Sequence, residues 1–589
     1  MAPVSSKTDK PKDTGGAMRR LLVYIFEYKI SLIAAIILAV SGNILALAGP
    51  AVSGKAIDVI GLGSGRVDFE KVFFYVAILV CIYILAGIMT YSLSVIMIRL
   101  GRNVSKKMRQ EVFDKLTKLP VGYFDTHQTG DIISRVSYDI DVVNTSVSAD
   151  ITQVITSIIT VAGSFGMMLF ISRKLVLVVL VTLPASVIYT KYMTGKTRPL
   201  FRRRSKKYGE LNGYTEEMFS GQKTIQAYAK EKNIISKFDV INTSAADAYY
   251  EADYYGAIIG PSVGFINNIS LALVAIAGSV LYLNNMTGIG QISSFILYSR
   301  KFSGPVNEIA NMYNEILSAL AAAERVFNFL DEEEEVTDKG DAVSLGEVKG
   351  QVEFKNVNFG YNKSKIIIED FNLRVRPGQV VAIVGPTGAG KTTLINLLMR
   401  FYDVCGGQVL LDGIDIRDIK RDELRKSFTM VLQDTWLFGG TIAENIAYGN
   451  PEASRGDIER AAKSARISFY VNNLRDKYDT VITEDAGNLS KGQKQLMTIA
   501  RAMLVDSKIL ILDEATSNVD THTEKQIQKA MLALMKDKTC FIIAHRLSTI
   551  ENADIILVIK DGTVMEQGSH RTLMEKKGEY YNMYMAQYN

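Results

Sequence analysis

Long stretches without a charged residue dominate the first half of the chain. Four of them run for 16 to 27 residues, and a fifth is longer still; they cover Ile30–Ala48, Val72–Ile98, Ile151–Ser172, Leu175–Thr190 and Tyr254–Gly290. A helix needs about 20 predominantly apolar residues to cross roughly 30 Å of hydrocarbon. One such run would also suit a buried helix of a large soluble protein, but this number of runs predicts membrane-spanning helices.

A sixth span is predicted from Gln291 to Leu317, although this segment is more polar than the others. At 100° per residue, its polar positions fall on one side of a helix: Lys301, Asn307, Glu308, Asn311, Asn314 and Glu315. A helix with one polar face at the end of a membrane domain contacts water rather than lipid. Two interpretations stay open, namely that the face lines a translocation cavity or that the last turns have emerged into the cytosol.

Basic residues predict the orientation of these spans. They are concentrated before the first span and in the second and fourth connections, Arg99–Asn144 and Lys191–Asp253, whereas the third connection holds only Arg173 and Lys174. Cytoplasmic connections carry the excess of Lys and Arg, so the N-terminus and everything after the sixth span are expected in the cytoplasm. The two long connections are expected to be helical extensions, with the Arg202–Arg204 cluster facing anionic headgroups rather than nucleic acid.

The pattern changes near residue 331. An acidic stretch, Asp331–Ala342, is interpreted as a linker, with a solvated surface loop as the alternative, and after it charges are interspersed and strands and helices alternate. The predicted organisation is a flexible N-terminus (1–17), an all-α transmembrane domain of six helices (18–330), a linker (331–348) and an α/β domain (349–589). The protein is therefore expected to be a multi-pass protein of the cell membrane.

Composition excludes several other classes of protein. The 589 residues are 48% hydrophobic and 22% charged, with 11 Pro and 45 Gly, so a disordered or collagen-like chain is excluded. Three cysteines (Cys81, Cys405 and Cys540) and four histidines make neither a disulfide scaffold nor a Cys/His metal site. The net charge of +5 does not by itself indicate nucleic acid.

The second half contains a phosphate-binding pattern. A short apolar run, Gln379–Val384, is followed by Gly385-Pro386-Thr387-Gly388-Ala389-Gly390-Lys391-Thr392 and then by the helical run Leu394–Met399. This is GxxxxGK[ST] in the strand–loop–helix context that supports it. Glycines allow backbone N–H groups to surround phosphate oxygens, Lys391 supplies charge to the β- and γ-phosphates, and the Thr392 hydroxyl can bind Mg²⁺.

A second apolar run, Ile509–Leu512, ends in Asp513 and Glu514. Acids at the carboxyl end of a strand lie where an open α/β sheet places its chemistry. Asp513 suits Mg²⁺, and Glu514 suits the attacking water as general base or orienting acceptor. An ordinary surface acid pair is the alternative, and the phosphate loop upstream argues against it.

Further motifs resemble those of ABC ATPases. Leu489–Gln493 (LSKGQ) is similar to the family's signature motif LSGGQ, Gln433 to its Q-loop residue, and Ser517–Asp520 (SNVD) to its D-loop. His545 resembles the switch histidine, and Tyr361 the aromatic residue that stacks on adenine.

The first half also carries a resemblance. Tyr123–Asp141 and Ala323–Phe327 resemble segments of ABC exporter membrane domains, so the likeness to type IV ABC multidrug exporters covers nearly the whole chain. It implies a half-transporter that binds ATP and Mg²⁺. Catalytic roles would fall to Lys391, Gln433, Glu514 and His545, and Mg²⁺ binding to Thr392, Gln433 and Asp513. The implied nucleotide contacts are Tyr361, Gly385 to Thr393 (Thr393 included), Gln433, Asp513, Ser490, Gly492, Gln493 and Asp520.

The resemblance also implies a dimer. In the family, the signature helix N-terminus contacts the γ-phosphate of ATP held by the opposing domain, so two domains close over two nucleotides. Short coupling helices near Thr129–Ser134 and Tyr214–Gly221 would connect this closure to the membrane domain, the second by docking into the partner's ATPase domain. Either stretch could instead be a plain solvated helix.

Lys491 replaces the usual glycine of the signature motif, and a long cation there could crowd the helix N-terminus or point to solvent. Together with Thr483–Asn488 and the SNVD segment, it resembles the consensus-site subunit of heterodimeric bacterial exporters. We therefore expect a heterodimer whose second chain has a degenerate Walker B motif, with a homodimer as the alternative.

The expected function is ATP-driven efflux of hydrophobic or amphipathic compounds, such as drugs or toxins. A lipid or peptide exporter is the alternative within the class, and an ATP-gated channel or regulatory ATP-binding membrane protein is the alternative from another class. A soluble ABC ATPase acting on DNA is opposed by the transmembrane runs, so no nucleic acid partner is expected.

Overall fold

The structure is a computed structural model, and it describes residues 13–60, 67–361, 366–386, 388–433, 435–483, 489–513, 520–543 and 550–586, with the side chains of 306–311 and 314 excepted. The described chain forms two compact units. The first consists of Met1–Leu119 and Tyr123–Glu334, and the second of Pro120–Gly122 and Glu335–Asn589.

The first unit is helical. Its α-helices are α1 (Thr14–Phe26), α2 (Lys29–Ile60), α3 (Phe69–Leu116), α4 (Val121–Thr126, which begins in the second unit), α5 (Thr129–Ser134), α6 (Ile140–Thr145), α7 (Ile151–Ile171), α8 (Arg173–Ser220), α9 (Gln222–Ala227), α10 (Glu231–Leu283) and α11 (Ile289–Leu330). Two π-helical turns, Arg135–Asp139 and Ser146–Asp150, join α5, α6 and α7 into one nearly continuous rod.

Among the described residues, five helical segments are long and apolar enough to span a membrane: Lys29–Ile60, Phe69–Leu116, Thr129–Ile171, Arg173–Ser220 and Glu231–Leu283. Large apolar side chains on them are strongly exposed, as at Ile30 (86%) and Phe170 (87%), which suits contact with lipid rather than water. The prediction that the first half forms membrane-spanning helices is thus confirmed. The sixth predicted span lies in α11, which the structure describes as a helix but which is too polar to join these five.

The long helices extend well beyond a bilayer. At 1.5 Å per residue, the 48 residues of α3 and of α8 correspond to about 70 Å each, against roughly 30 Å of hydrocarbon. The two long connections are therefore helical extensions, as the sequence predicts. Tyr214–Gly221, where a short coupling helix was expected, is not a separate helix: Tyr214–Ser220 completes α8, Gly221 ends that helix through a bond from its N–H to Glu217 O (2.9 Å), and the short helix α9 follows.

An ion pair with a buried carboxylate links two helical segments of the first unit. Asp139 is buried, and both of its carboxylate oxygens accept from Arg325, at 3.0 Å from Nε and 2.5 Å from Nη2. A buried carboxylate requires such a partner, because an uncompensated charge away from water is costly. This pair joins the π-helical turn after α5 to α11.

The second unit is built on three sheets. Its strands are β1 (Val352–Phe359), β2 (Ile368–Val375), β3 (Val380–Val384), β4 (Gly406–Leu411), β5 (Ile414–Asp415), β6 (Phe428–Val431), β7 (Gly440–Thr441), β8 (Val481–Ile482), β9 (Ile509–Asp513), β10 (Thr539–Ile543), β11 (Ile555–Lys560) and β12 (Thr563–Gly568). A six-stranded sheet has the order β12-β11-β3-β10-β9-β6 and is parallel except for β12. An antiparallel sheet has the order β2-β1-β4-β5, and β7 pairs with β8.

Helices cover the parallel sheet. They are α12 (Lys391–Leu398), α13 (Arg421–Lys426), α14 (Ile442–Ala447), α15 (Arg455–Ser464), α16 (Ser468–Asn472), α17 (Lys491–Met503), α18 (Thr521–Met535), α19 (His570–Lys576) and α20 (Glu579–Ala586). Alternate residues of each central strand enter two separate cores, so Ile542 packs in one and Phe541 in the other. Strands that are buried on both faces have continuous apolar sequences, and Ile509–Leu512 is such a run. The predicted fold class, a helical transmembrane domain followed by an α/β domain, is confirmed.

Part of the acidic linker is bound to the second unit rather than freely solvated. Glu335 pairs with Arg425 at 2.5 Å. Asp338 Oδ2 accepts from the backbone N–H of Arg421 at 3.0 Å, and Asp338 Oδ1 lies 3.6 Å from Arg400 Nη1. Arg400 and Arg421 are themselves buried. The sequence did not predict these contacts, because the three arginines are spread over 26 positions and only the fold brings them together.

Candidate nucleotide-binding site

Four neighbouring parallel strands end at one edge of the large sheet, and each leads to a predicted site residue. The phosphate loop follows β3, Asp513 is the last residue of β9, and Gln433 comes two residues after β6. In register, Ile543 of β10 lies opposite both Ile383 and Asp513. Since adjacent strands are about 4.8 Å apart, the start of the phosphate loop and Asp513 are separated by roughly 10 Å.

Two glycines give the phosphate loop its shape. Gly388 (φ +83°) and Gly390 (φ +100°) have left-handed backbones, which side chains with a Cβ rarely adopt. Gly390 is the residue before α12, so the turn delivers the chain directly into a helix whose first N–H groups face the loop. Gly385 is restricted by space, because a Cβ there would lie 2.1 Å from Ile559 O. Such a loop at a helix N-terminus binds phosphate.

Lys391 lies across this loop. It is only 8% exposed, and its Nζ donates to Gly385 O at 2.6 Å and to Pro386 O at 3.1 Å. Burial lowers the pKa of Lys391, and the negative charge of Asp513 acts in the opposite direction. The ammonium group is therefore held within the electrostatic reach of the carboxylate, on the side of the sheet where the strands end.

The oxygen donors expected to bind Mg²⁺ are accessible. Thr392 and Gln433 are exposed, and Asp513 is partly exposed. A hydroxyl, an amide and a carboxylate fit Mg²⁺, which takes a few protein oxygens and completes its octahedron with phosphate and water. The described residues contain no group of three or more His, Cys, Asp or Glu side chains that could hold a metal ion.

Neighbouring side chains contact the hydroxyl and the ring of Tyr361, and the residue is partly exposed. Its hydroxyl lies 3.2 Å from Thr393 Oγ1, and its ring meets Phe359 and Tyr402 edge-on, with centroids 5.1 and 4.9 Å away. The residue is 43% exposed, so part of the ring is accessible to a planar base.

The signature segment begins α17 with reciprocal caps. Ser490 Oγ accepts from the N–H of Gln493 at 3.2 Å, and Gln493 Oε1 accepts from the N–H of Ser490 at 2.9 Å. Gly492 is buried, whereas Lys491 is exposed. Of the two alternatives for Lys491, the structure favours a side chain that faces solvent over one packed against the helix end.

Asp520 also caps a helix. Its carboxylate accepts from the N–H of Thr523 at 2.9 Å at the start of α18, and these hydrogen bonds lower the pKa of Asp520. The sequence assigned this residue to the nucleotide through its D-loop resemblance and did not anticipate the cap. Thr387, Glu514, Ser517 and His545 lie outside the described residues; the last described residues before Glu514 and His545 are Asp513 and Ile543.

A cavity that sequence reasoning missed adjoins Gln433. It has a volume of about 250 Å³, and its lining includes Leu432, Trp436, Tyr448 and Arg501. Trp436, the one tryptophan of the sequence, is 69% exposed. Arg501 donates to Asn445 O at 2.9 Å and to Trp436 O at 3.1 Å. The signal available in the sequence was the single Trp three residues after the Q-loop glutamine.

These features define a membrane-embedded ATPase with a phosphate loop. Two protein families match the chain, the ABC transporter transmembrane region over residues 32–306 and the ABC transporter domain over residues 368–517. The ABC transporter ATP-binding protein YfiC of Bacillus subtilis is 41% identical over 584 residues, which cover 99% of this chain and 96% of that protein.

Two further comparisons extend this likeness. The fatty acid ABC transporter ATP-binding/permease protein of Mycobacterium bovis is 43% identical over 520 residues, which cover 88% of this chain and 82% of the Mycobacterium bovis protein. A solved structure of a bacterial Atm1-family ABC exporter with ATP bound superimposes with a TM-score of 0.76 at 28% identity, covering 95% and 98% of the two chains. The chain belongs to the ABC exporters, as a half-transporter that binds and hydrolyses ATP and crosses the membrane several times.

Proposed function

We propose that this chain is one half of a dimeric exporter that uses ATP to move hydrophobic or amphipathic compounds across the cell membrane. One observation carries the proposal: a single chain joins a phosphate loop with a buried cation, Lys391, to helices that expose apolar side chains over membrane-spanning lengths. An ATP-gated channel would have the same parts, so the two differ in whether a solute accumulates against its gradient.

The ATP site acts mainly through position and charge. Lys391 and the N–H groups of the loop and of α12 bind the β- and γ-phosphates. Mg²⁺, when bound through Thr392, Gln433 and Asp513, neutralises charge that develops on the phosphates. Glu514 orients or deprotonates the attacking water, and His545 contacts the γ-phosphate.

The dimer follows from the signature segment. Ser490 and Lys491 are exposed at the N-terminus of α17, where they are available to a second subunit. ATP held between two subunits binds the closed pair better than the open pair, and only such differential affinity can drive a conformational change. We propose a heterodimer in which this chain supplies Walker A, Walker B and switch residues to one consensus site, and the partner has a degenerate Walker B motif. A homodimer is the alternative.

The coupling segments are proposed to be α5 and α9. All six residues of α9 lie at the surface, and it is flanked by Phe219 and Tyr228, which are 76% and 73% exposed. The cavity beside Trp436 is lined by both aromatic and polar side chains and has a volume of about 250 Å³, which is enough to receive such an aromatic side chain from the partner subunit. We propose that α9 of one subunit docks at this cavity of the other.

The substrate class is supported by two observations. The Mycobacterium bovis relative is named for fatty acids, which are amphipathic. In the first unit, aromatic and Met side chains such as Phe165, Met167 and Phe302 pack in one apolar cluster, and Met-containing surfaces adapt to varied ligands. A lipid exporter is the alternative within the class.

The test is transport by the protein in proteoliposomes, purified alone and with a co-expressed candidate partner half-transporter. ATP should drive the accumulation of an amphipathic dye, and Glu514→Gln should abolish it, while the exposed Glu452→Gln should not. Dye that equilibrates without accumulating would indicate a channel. Full stimulated ATPase activity and transport by this chain alone would exclude the heterodimer and leave the homodimer.

A further inference from the structure

A lysine lies within the sixth predicted span, which the structure describes as part of α11. Lys301 follows the first residue of α11 by 12 positions, which is about 18 Å along the helix axis. Within a hydrocarbon layer, a cation in a lipid-facing position costs up to about 3 kcal/mol, depending on its depth. Intramembrane cations are therefore found where a counter-charge, a cavity or a function compensates for them.

The contacts of Lys301 begin with a proline in α2. Pro50 has no N–H, so the carbonyl four residues earlier, Ala46 O, lacks its usual partner within the helix. Lys301 Nζ donates to this oxygen at 2.6 Å. The bond satisfies the carbonyl, but an amide dipole is not an anion. Among the described side chains, nothing compensates the positive charge of the ammonium or accepts from its two other N–H groups.

No described carboxylate forms an ion pair with Lys301. The neighbouring Arg300 is exposed and likewise has no ion pair among the residues whose side chains the structure describes. Among the residues whose side chains the structure describes, Lys301 thus has one neutral acceptor, Ala46 O, and no anionic partner.

The lysine is held in place by a row of contacts between α2 and one face of α11, which we call the α2–α11 seam. Along one face of α11, Ser294 donates to Pro50 O at 2.8 Å and Tyr298 donates to Leu47 O. A Cβ at Gly54 would lie 2.4 Å from Gly290 O, so the backbones touch at the end of this face. The stem of Lys301 is half-buried against the seam, and its position is set before any ligand arrives.

We propose that Lys301 is an anion subsite in the transmembrane unit, which takes the acidic headgroup, carboxylate or phosphate, of an amphipathic substrate. The proposal rests on the proposed export of amphipathic compounds and narrows that class to acids. The headgroup supplies the missing counter-charge and accepts the two remaining N–H donors, while the alkyl chain lies among the apolar side chains of the neighbouring helices. Charge-assisted hydrogen bonds of this kind are the stronger ones in proteins.

The experiment measures ATPase stimulation of the full-length transporter in proteoliposomes by four amphiphiles of one chain length. They are laurate, dodecyl phosphate, the neutral lauramide and the cation dodecyltrimethylammonium. In the wild type, the two anions should give lower half-maximal concentrations than the other two probes. Comparing laurate with dodecyl phosphate shows which headgroup is preferred. Lys301→Gln should raise the half-maximal concentration of the anions by about tenfold and reduce their advantage over lauramide.

Three variants separate recognition from helix packing. Lys301→Arg should keep most of the preference for anions, and the control Lys191→Gln, at an exposed lysine of α8, should keep all of it. Pro50→Ala restores an N–H for Ala46 O, so it removes the structural need for the lysine. The loss of anion preference in Lys301→Gln should persist in the Pro50→Ala background.

Two results would overturn the subsite. One is an equal shift for all four probes in Lys301→Gln that disappears in the Pro50→Ala background, which would show that the lysine only satisfies the proline-freed carbonyl. The other is a wild type that responds to lauramide or the cation but has no preference for the anions. If no amphiphile of any charge stimulates ATP hydrolysis or is transported, the proposed function itself fails and the subsite fails with it.

Discussion

Lys391→Ala should weaken ATP binding by an amount that the structure allows us to estimate. The wild-type ammonium group is almost fully buried in the phosphate loop, within reach of Asp513, and donates to two loop carbonyls. When ATP binds, the Lys391 ammonium exchanges the two neutral carbonyl acceptors for a charged phosphate oxygen. A hydrogen bond to a charged group stabilises by about 1.5–3 kcal/mol net. Since each 1.4 kcal/mol is about tenfold in affinity, we expect the dissociation constant of ATP to rise by roughly 10- to 150-fold.

Isothermal titration calorimetry in the Glu514→Gln background measures this change without turnover. Lys420→Ala, at an exposed lysine of the same unit, is the matched control and should leave the affinity unchanged. Because burial lowers the pKa of Lys391, the lysine loses its proton at a lower pH than an exposed lysine. Wild-type affinity should therefore fall as the pH rises through the alkaline range, and the alanine variant should lack that component. An affinity within about threefold of the wild type, less than 1 kcal/mol, would refute the reasoning.

Three further predictions concern turnover, cysteine chemistry and stability. Glu514→Gln should abolish steady-state hydrolysis, because the attacking water loses its acceptor, while ATP still binds in a filter or calorimetric assay. Alkylation near pH 8 should modify the exposed Cys405 but spare Cys540, since burial raises the pKa of Cys540 to about 12 and ionisation alone slows its reaction by about a thousandfold. Arg325→Met should leave the buried Asp139 carboxylate without its two hydrogen bonds and cost roughly 2 kcal/mol, seen as a lower Tm in detergent.

Each of these has an outcome that would contradict it. Near-normal hydrolysis by Glu514→Gln would exclude the proposed role of the acid, and rapid labelling of Cys540 in folded protein would contradict its burial in the central strand. For the ion pair, Arg109→Met is the control, because its pair with Asp141 is exposed on both sides and should be worth less than about 1 kcal/mol. Equal effects of the two arginine variants would show that the buried pair has no special role.

The membrane helices and the parallel strands could be predicted because their signals are local. An uncharged run such as Val72–Ile98 has few alternatives to a long helix, and the run Ile509–Leu512 between polar segments indicates a buried strand. The phosphate loop is equally local, since its glycines and Lys391 are contiguous and their spacing reflects one turn of backbone. The order of the strands at the sheet edge also agrees with the predicted association of Asp513 with that loop.

The features that sequence reasoning missed depend on contacts between distant residues. Arg421 and Arg425 bind the acidic linker only because the fold places them beside Glu335 and Asp338. A short helix near Tyr214–Gly221 was expected from the resemblance alone, whereas the structure continues α8 to Ser220 and starts a short helix after Gly221. Lys301 was recognised as part of a polar face, but the sequence does not show that Pro50 frees the carbonyl that it contacts.

The most direct test of the central claim is ATP-dependent transport in sealed proteoliposomes, measured together with ATP hydrolysis on the same sample. ATP added to the outward-facing ATPase units should drive an amphipathic substrate into the lumen to a concentration above that outside, and vanadate should stop both processes. Hydrolysis that continues, and is stimulated by the substrate, while no offered compound accumulates would contradict the claim that nucleotide-driven closure moves a solute through this membrane unit.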